Sequence, residues 1–158
     1  MDDEVYIKLL QSFTEYLTEK QLRKTTERLT IFREVCAFPK HFDVSSLQER
    51  LDEINFHVSR ATLYNVLDVL VDAGVVVRHQ LPNLEAVQFE LQVYAQTHVH
   101  LFCTRCKSLR EIKNRKLMKT LKDMRMGSFT PEYYSLYVYG ECGSCRVKRK
   151  RAEKKDNL

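Results

Sequence analysis

The sequence predicts an α+β protein in two parts, and three observations predict it. Apolar residues recur at helical spacing through the first 74 residues, two β-branched runs follow, and two C-x-x-C turns separated by 35 residues lie in the last third. A chain of 158 residues suffices for two small domains. No apolar run approaches the roughly 20 residues that cross a bilayer, so no membrane association is expected. The acidic start MDDEVYIKLL is unlike the basic start of a secretory signal, and the expected location is the cytoplasm.

The first element is a helix in DDEVYIKLLQSFTEYL, with Val5, Leu9, Leu10, Phe13 and Leu17 on one face and acids at its N-terminal end. The second spans about 26–37, with Thr26 as its cap, and buries Cys36 as a small apolar residue. The third begins at SSLQERLDEI, where Ser45 and Gln48 have capping-box spacing and Leu47, Leu51 and Ile54 face inward. In the fourth, SRATLYNVLDVLVDAG, Leu63, Val66, Leu67, Leu70 and Val71 form one apolar stripe. Ser59 caps its start and Gly74 closes its end. Arg60, Thr62, Tyr64 and Asn65 lie on the polar face, able to donate to phosphates or to reach base edges.

VVVRHQL and AVQFEL then read as strands joined by PNLE. Three helices, a helix with a polar leading face and a hairpin make a winged helix-turn-helix, whose last helix would enter the major groove. A generic helical domain with an ordinary amphipathic helix is the competing reading. The winged-helix domain is expected over 1–91 and a hinge over 92–97.

The second half, 98–146, reads as strand (HVHLF), turn (CTRC), strand (SLREI), helix (about 114–125), strand (YSLYVYG) and turn (CGSC). So small a β-β-α-β segment buries little alone and calls for a metal staple or a partner subunit. The tail 147–158 is expected to be disordered. From 146 to the end the chain has seven Lys/Arg against two Asp/Glu, which equals the whole net charge of +5. Such a tail can raise nonspecific DNA affinity through counterion release, but it does not establish nucleic-acid binding.

Cys103, Cys106, Cys142 and Cys145 suit a tetrahedral structural Zn(II) closed by four thiolates, whose binding energy becomes folding energy. The competing use is thiol–disulfide exchange. A redox site of that kind belongs between a strand and a helix in a βαβ context, and neither pair has one. His98 and His100, two apart on a strand, point to one face. Completing a second metal site needs Glu111, Glu90 or His41, and such a nitrogen/oxygen set prefers Fe(II), Mn(II), Co(II) or Zn(II). Buried structural histidines are the alternative. His57 and His79 read as surface or DNA-proximal residues, and the tyrosines at 133–139 as sheet or interface packing.

The ordered set KTTERLTIF, HVSRATLYNVLDVLVDAG, VVVRH, FEL, HVHLFCTRCKSLREI and YSLYVYGECGSC, over about 22–146, resembles the ferric uptake regulator family of bacterial metal-dependent repressors. The resemblance implies an α/β dimerisation domain after the winged helix, and a homodimer on an AT-rich inverted-repeat operator in double-stranded DNA. It implies structural zinc on Cys103, Cys106, Cys142 and Cys145. The sensing set would be His41, Glu90, His98, His100 and Glu111, and Tyr64 and Arg28 would serve DNA binding. Ferrous iron is the expected regulatory ion, with Mn(II) or Zn(II) as substitutes in vitro, and peroxide, zinc, manganese or haem as alternative signals. A C-x-x-C redox protein is the alternative of another class. No catalytic site is expected.

The sequence departs from the family pattern in several places. Thr97 and Val99 cannot supply the usual ligands of a further metal site, Met118 falls where a carboxylate is expected, and Glu141 falls where a histidine is common. Asn65 replaces the usual arginine after the tyrosine, which shifts operator preference, and the wing tip LPNLEA lacks glycine. The implied mechanism is linkage. A metal held by both halves fixes the angle of the DNA-reading heads, and coupling of about 1–3 kcal/mol changes DNA affinity roughly 5- to 150-fold.

Overall fold

The computed structural model describes residues 1–79, 86–131 and 133–156, the side chains of 154–156 excepted. Two compact units result, Met1–Ala95 and Gln96–Leu158.

The first unit opens with α1 (Asp3–Glu19), capped by Asp2, whose carboxylate accepts from the Glu4 N–H at 3.0 Å. Leu9, Phe13 and Leu17 are its buried face, with Val5 and Leu10 half-buried at its margin. Helix α2 (Thr26–Cys36) is capped by Thr25 rather than Thr26, because Thr25 is the residue left in extended conformation with its hydroxyl on the Arg28 N–H. In α3 (Val44–Glu53) the capping box is Asp43 with Ser46, not Ser45 with Gln48. That start lies two residues earlier than expected and brings Val44 into the core, while Ile54 becomes the exposed C-cap.

Helix α4 (Arg60–Asp72) has the expected Ser59 cap, and Gly74 follows its C-cap at φ 68°, a left-handed turn that glycine enters without Cβ strain. The chain then reverses into β1 (Val76–His79), antiparallel to β2 (Gln88–Leu91). The connecting PNLE tip lies outside the described residues. Phe13, Phe32, Leu47, Leu51, Leu63, Leu67 and Phe89 form one core, with Phe13 stacked on Phe32 at 5.2 Å. Each such side chain contributes roughly 1.5–3 kcal/mol on burial, so the shared core rather than any single helix holds the unit. A short α5 (Gln92–Ala95) packs on the hairpin through the Gln92 N–H to the Val75 carbonyl at 3.0 Å. The first unit therefore extends through residues that the sequence assigns to the start of a hinge.

The second unit is a three-stranded sheet in the order β4-β3-β5. Strand β3 (Val99–Cys103) pairs antiparallel with β4 (Leu109–Ile112) and parallel with β5 (Tyr137–Gly140). Helix α6 (Arg115–Asp123), capped by Asn114, has no buried residue although its sequence is strongly amphipathic. Only β3 is well buried; β4 and β5 are largely exposed. The tail departs from expectation: α7 runs from Gly143 to Asp156, where the charge run predicts disorder from 147. Lysine and arginine are good helix formers, and Arg149 spans Glu141 at 3.2 Å and Glu153, four residues on, at 2.7 Å. Among the described residues no helix is long and apolar enough to cross a membrane.

Candidate functional site

Topology assembles the cysteines. Strands β3 and β5 run parallel with Cys103 opposite Gly140, so the CTRC and CGSC turns leave the sheet at the same end. The Thr104 N–H donates to the Gly140 carbonyl at 2.8 Å, and Lys107 closes the first turn at φ 63°. The sulfurs of Cys103, Cys106, Cys142 and Cys145 then lie within 4.8 Å of one another, and the Sγ atoms of Cys106 and Cys142 are 3.7 Å apart. Ligands about 2.3 Å from a tetrahedral zinc stand roughly 3.8 Å apart, so the donor set fits that ion.

The electrostatics of the four thiols are divided. Backbone N–H groups of Cys106 and Cys142 lower Cys103 to about 6. Ser108 lowers Cys106, while the neighbouring Cys142 and Cys106 sulfurs raise Cys145 to about 12. Four thiolates this close repel unless a cation sits among them. Cys36 lies elsewhere, in the core, where burial raises its thiol to about 12 and makes it inert.

The second pair follows β5, with Cys142 just before α7 and Cys145 in its first turn, and no strand follows α7 among the described residues, so neither pair has a βαβ setting. The first pair lies beside it, with the Cys106 and Cys142 sulfurs in contact. Glu141 braces the arrangement, taking Arg105 of the first turn at 2.9 Å and Arg149 of α7 at 3.2 Å.

The candidate nitrogen and oxygen donors form a set in each unit. In the first unit, the pairing of Phe42 with Phe89 lays His41 beside Glu90. Glu90 Oε2 lies 3.5 Å from His41 Nε2 and 3.3 Å from His79 Nε2, and the two rings meet edge-on at 4.9 Å. His79 and Glu90 are fully buried, which corrects the reading of His79 as a surface or DNA-proximal residue. Val77 is the Cα partner of Glu90 on the hairpin, and His79, two residues further on, returns to the same face. That alternation is visible in VVVRH once the register is known.

In the second unit, His98 Nε2 and His100 Nε2 are 3.0 Å apart, and both rings are buried. Glu111 is the Cα partner of His100 across β3 and β4, and offers an oxygen within 4.8 Å of a His98 nitrogen. Tyr137, on the other side of β3, stacks on His100 at 4.9 Å and fixes its ring. The tyrosine thus packs against a candidate ligand as well as within the sheet.

On the polar side of α4, Arg60, Tyr64 and Asn65 are exposed, and Thr62 is half-buried beneath the Ser59 hydroxyl at 2.9 Å. A groove lined by Arg23, Thr25, Arg28, Thr62 and Asn65 joins this face to the start of α2. Arg28 donates to the Arg23 carbonyl at 2.5 Å, which ties its guanidinium to that rim. Sequence reasoning does not find Arg23, because it precedes α2 in a loop, outside any periodic pattern. His57 is exposed and paired with Asp52 at 2.7 Å.

A winged-helix unit with a polar recognition face, followed by a small sheet carrying a four-cysteine cluster, defines a metal-binding, DNA-binding regulator. The model of the Ferric uptake regulator family matches residues 19–139, and the chain belongs to that family. The chain is 34% identical over 140 residues to the ferric uptake regulation protein of Shigella flexneri, covering 82% of this chain and 89% of that one. To that of Escherichia coli K12 it is 33% identical over 135 residues, with the same coverage of both chains. Among solved structures, the Vibrio cholerae ferric uptake regulator aligns with TM-score 0.55 at 30% identity, over 81% of this chain and 98% of that one. The Pseudomonas aeruginosa ferric uptake regulator with manganese aligns with TM-score 0.65 at 25% identity, over 82% and 97%. The protein is a metal-responsive transcriptional regulator of the Fur family.

Proposed function

We propose that this regulator is a repressor that senses ferrous iron, holds structural Zn(II) on Cys103, Cys106, Cys142 and Cys145, and binds an AT-rich inverted-repeat operator as a homodimer. One observation carries the sensing role: each unit has its own set of imidazoles and a carboxylate, His41 and Glu90 in the first, His98, His100 and Glu111 in the second. A regulatory ion taking ligands from both sets makes the DNA-reading unit and the sheet unit respond together. Histidine and carboxylate ligands suit Fe(II) and release it readily when supply falls, as thiolates would not.

The zinc assignment draws on the convergence of four sulfurs, one of which is held protonated without a cation. The homodimer draws on the second unit's exposed apolar side chains: Ile112, Phe129, Val138 and Tyr139 belong to a unit whose α6 has nothing buried. On the DNA, Tyr64, Arg60 and Asn65 read base edges from α4, while Ser59, Thr62 and Arg28 contact the backbone.

Anisotropy of a labelled AT-rich inverted-repeat duplex tests this reading. Protein that retains zinc but is stripped of weaker metal should bind the duplex roughly 5- to 150-fold more tightly when Mn(II), an air-stable substitute for Fe(II), is added. His98→Ala with His100→Ala should abolish that gain. A gain that survives the double substitution overturns the five-ligand sensor.

A further inference from the structure

In the first unit the ligand set is larger than the family resemblance implies. His79 joins His41 and Glu90, and one ligand atom of each lies within 4.8 Å of the others. We propose that His41, His79 and Glu90 form a two-histidine, one-carboxylate site that holds a divalent cation of the Fe(II), Mn(II) or Co(II) class within the winged-helix unit itself. This rests on the reading that the chain binds a second, nitrogen/oxygen-ligated metal, and it assigns that metal's resting place.

Three observations support it. Donor atoms about 2.1 Å from one ion stand roughly 3.0–3.4 Å apart, and both histidine nitrogens approach the same Glu90 oxygen at 3.3 and 3.5 Å. Glu90 is 1% exposed and His79 is 0% exposed, so the donor atoms are shielded from water, where a bound cation is held more strongly than at the surface. The residues come from three places: the end of β1, the interior of β2, and a loop pinned to β2 by the Phe42–Phe89 backbone pair. Two imidazoles and one carboxylate on one face leave coordination positions open, a donor set typical of non-haem Fe(II). His98, His100 and Glu111 then act on an ion already bound. The metal stays with the DNA-reading unit, and the second unit's ligands engage or release it.

The test is anaerobic Co(II) titration of the full-length, zinc-loaded protein, followed by visible absorption. A nitrogen/oxygen site gives ligand-field bands without the sulfur charge-transfer absorption of cobalt at the cysteine cluster. The wild type should take up one Co(II) per chain in this way. His98→Ala/His100→Ala/Glu111→Gln should still take up one, with affinity lowered roughly 10- to 100-fold. Adding His79→Gln to that variant should abolish the signal. His79→Gln alone should change the band pattern of otherwise intact protein, while His57→Gln, at an exposed histidine, should leave it unaltered.

If the wild type binds but the triple variant, folded by circular dichroism, does not, the three residues form only an ion pair and the inference fails while the sensor reading stands. An unchanged spectrum in His79→Gln likewise overturns it. If the wild type takes up no cobalt outside the cysteines, both readings fail.

Discussion

Phe42 and Phe89 exchange both of their backbone hydrogen bonds, at 2.9 and 2.7 Å, and so add one rung of antiparallel pairing outside the hairpin. The residues next to them, His41 and Glu90, are thereby fixed side by side. The Phe42 ring also stacks on Phe38 at 4.6 Å and on Phe89 at 5.8 Å. Phe42→Ala should cost about 3–5 kcal/mol in urea denaturation and weaken binding of the second divalent metal with it. Phe42→Leu, which retains most of the apolar volume, should lose less of both. Full stability in the alanine variant would mean that the Phe42 ring does not hold the rung in place.

The cysteine cluster makes a prediction about protons. Without metal, Cys145 is held as a thiol by its sulfur neighbours, with its pKa raised to about 12. Zinc uptake at neutral pH must displace that proton, which isothermal calorimetry in buffers of different ionisation enthalpy measures directly. Cys103 has the opposite shift, from 9.0 to about 6. Its anion therefore favours the folded state fully above pH 9, and this contribution is lost as pH falls through about 6. Zinc should bind progressively more weakly over the same descent, and a pH-independent affinity would contradict the thiolate site. Cys106→Ser should lower zinc from one per chain toward none by elemental analysis.

Asp43 supplies a smaller, cleaner test. Its carboxylate accepts from the Ser46 N–H at 2.8 Å, which lowers its pKa below the ordinary 3.8. Asp43→Ala should destabilise the first unit by about 1 kcal/mol, while Asp43→Asn should retain most of the cap. Because the folded-state pKa is the lower one, the acid's contribution is complete above about pH 4 and is lost as pH falls through the folded value. The asparagine variant should lack that part of the acid limb in its stability–pH profile. Equal profiles for the two proteins would exclude a charged cap.

The helices of the first unit are legible because their apolar spacing is regular, and α4 matches in stripe, cap and terminating glycine. Caps are less legible. Asp43 and Thr25 win over their neighbours by adopting extended backbone, which composition does not reveal. The convergence of four cysteines in two turns can be read from their spacing alone, whereas the place of His79 cannot. Its role depends on β1–β2 register and on a loop 38 residues earlier. The tail misleads for the opposite reason. Its charge density suggests disorder, but the carboxylates of Glu141 and Glu153 flank Arg149 at helical reach.

DNA recognition separates into groups that hold the backbone and groups that read bases. Arg23 and Arg28 line the same groove as Thr62 and Asn65, so phosphate held by the arginines would leave Asn65 at the base edges. Arg23→Ala and Arg28→Ala should weaken every duplex alike and reduce the salt dependence of binding by about 0.9 in log–log slope for each phosphate no longer neutralised. Asn65→Ala should act differently. An asparagine pairs two-pronged with adenine N6 and N7, so its removal should cost about 1–3 kcal/mol on the preferred duplex and little on one altered at that base pair. Asn65→Arg should transfer the preference to guanine. Competition among duplexes varied one position at a time measures all four variants. If Asn65→Ala weakened every sequence equally, the residue would belong with the phosphate-binding arginines, and base reading would rest on Tyr64 and Arg60, its exposed neighbours on α4.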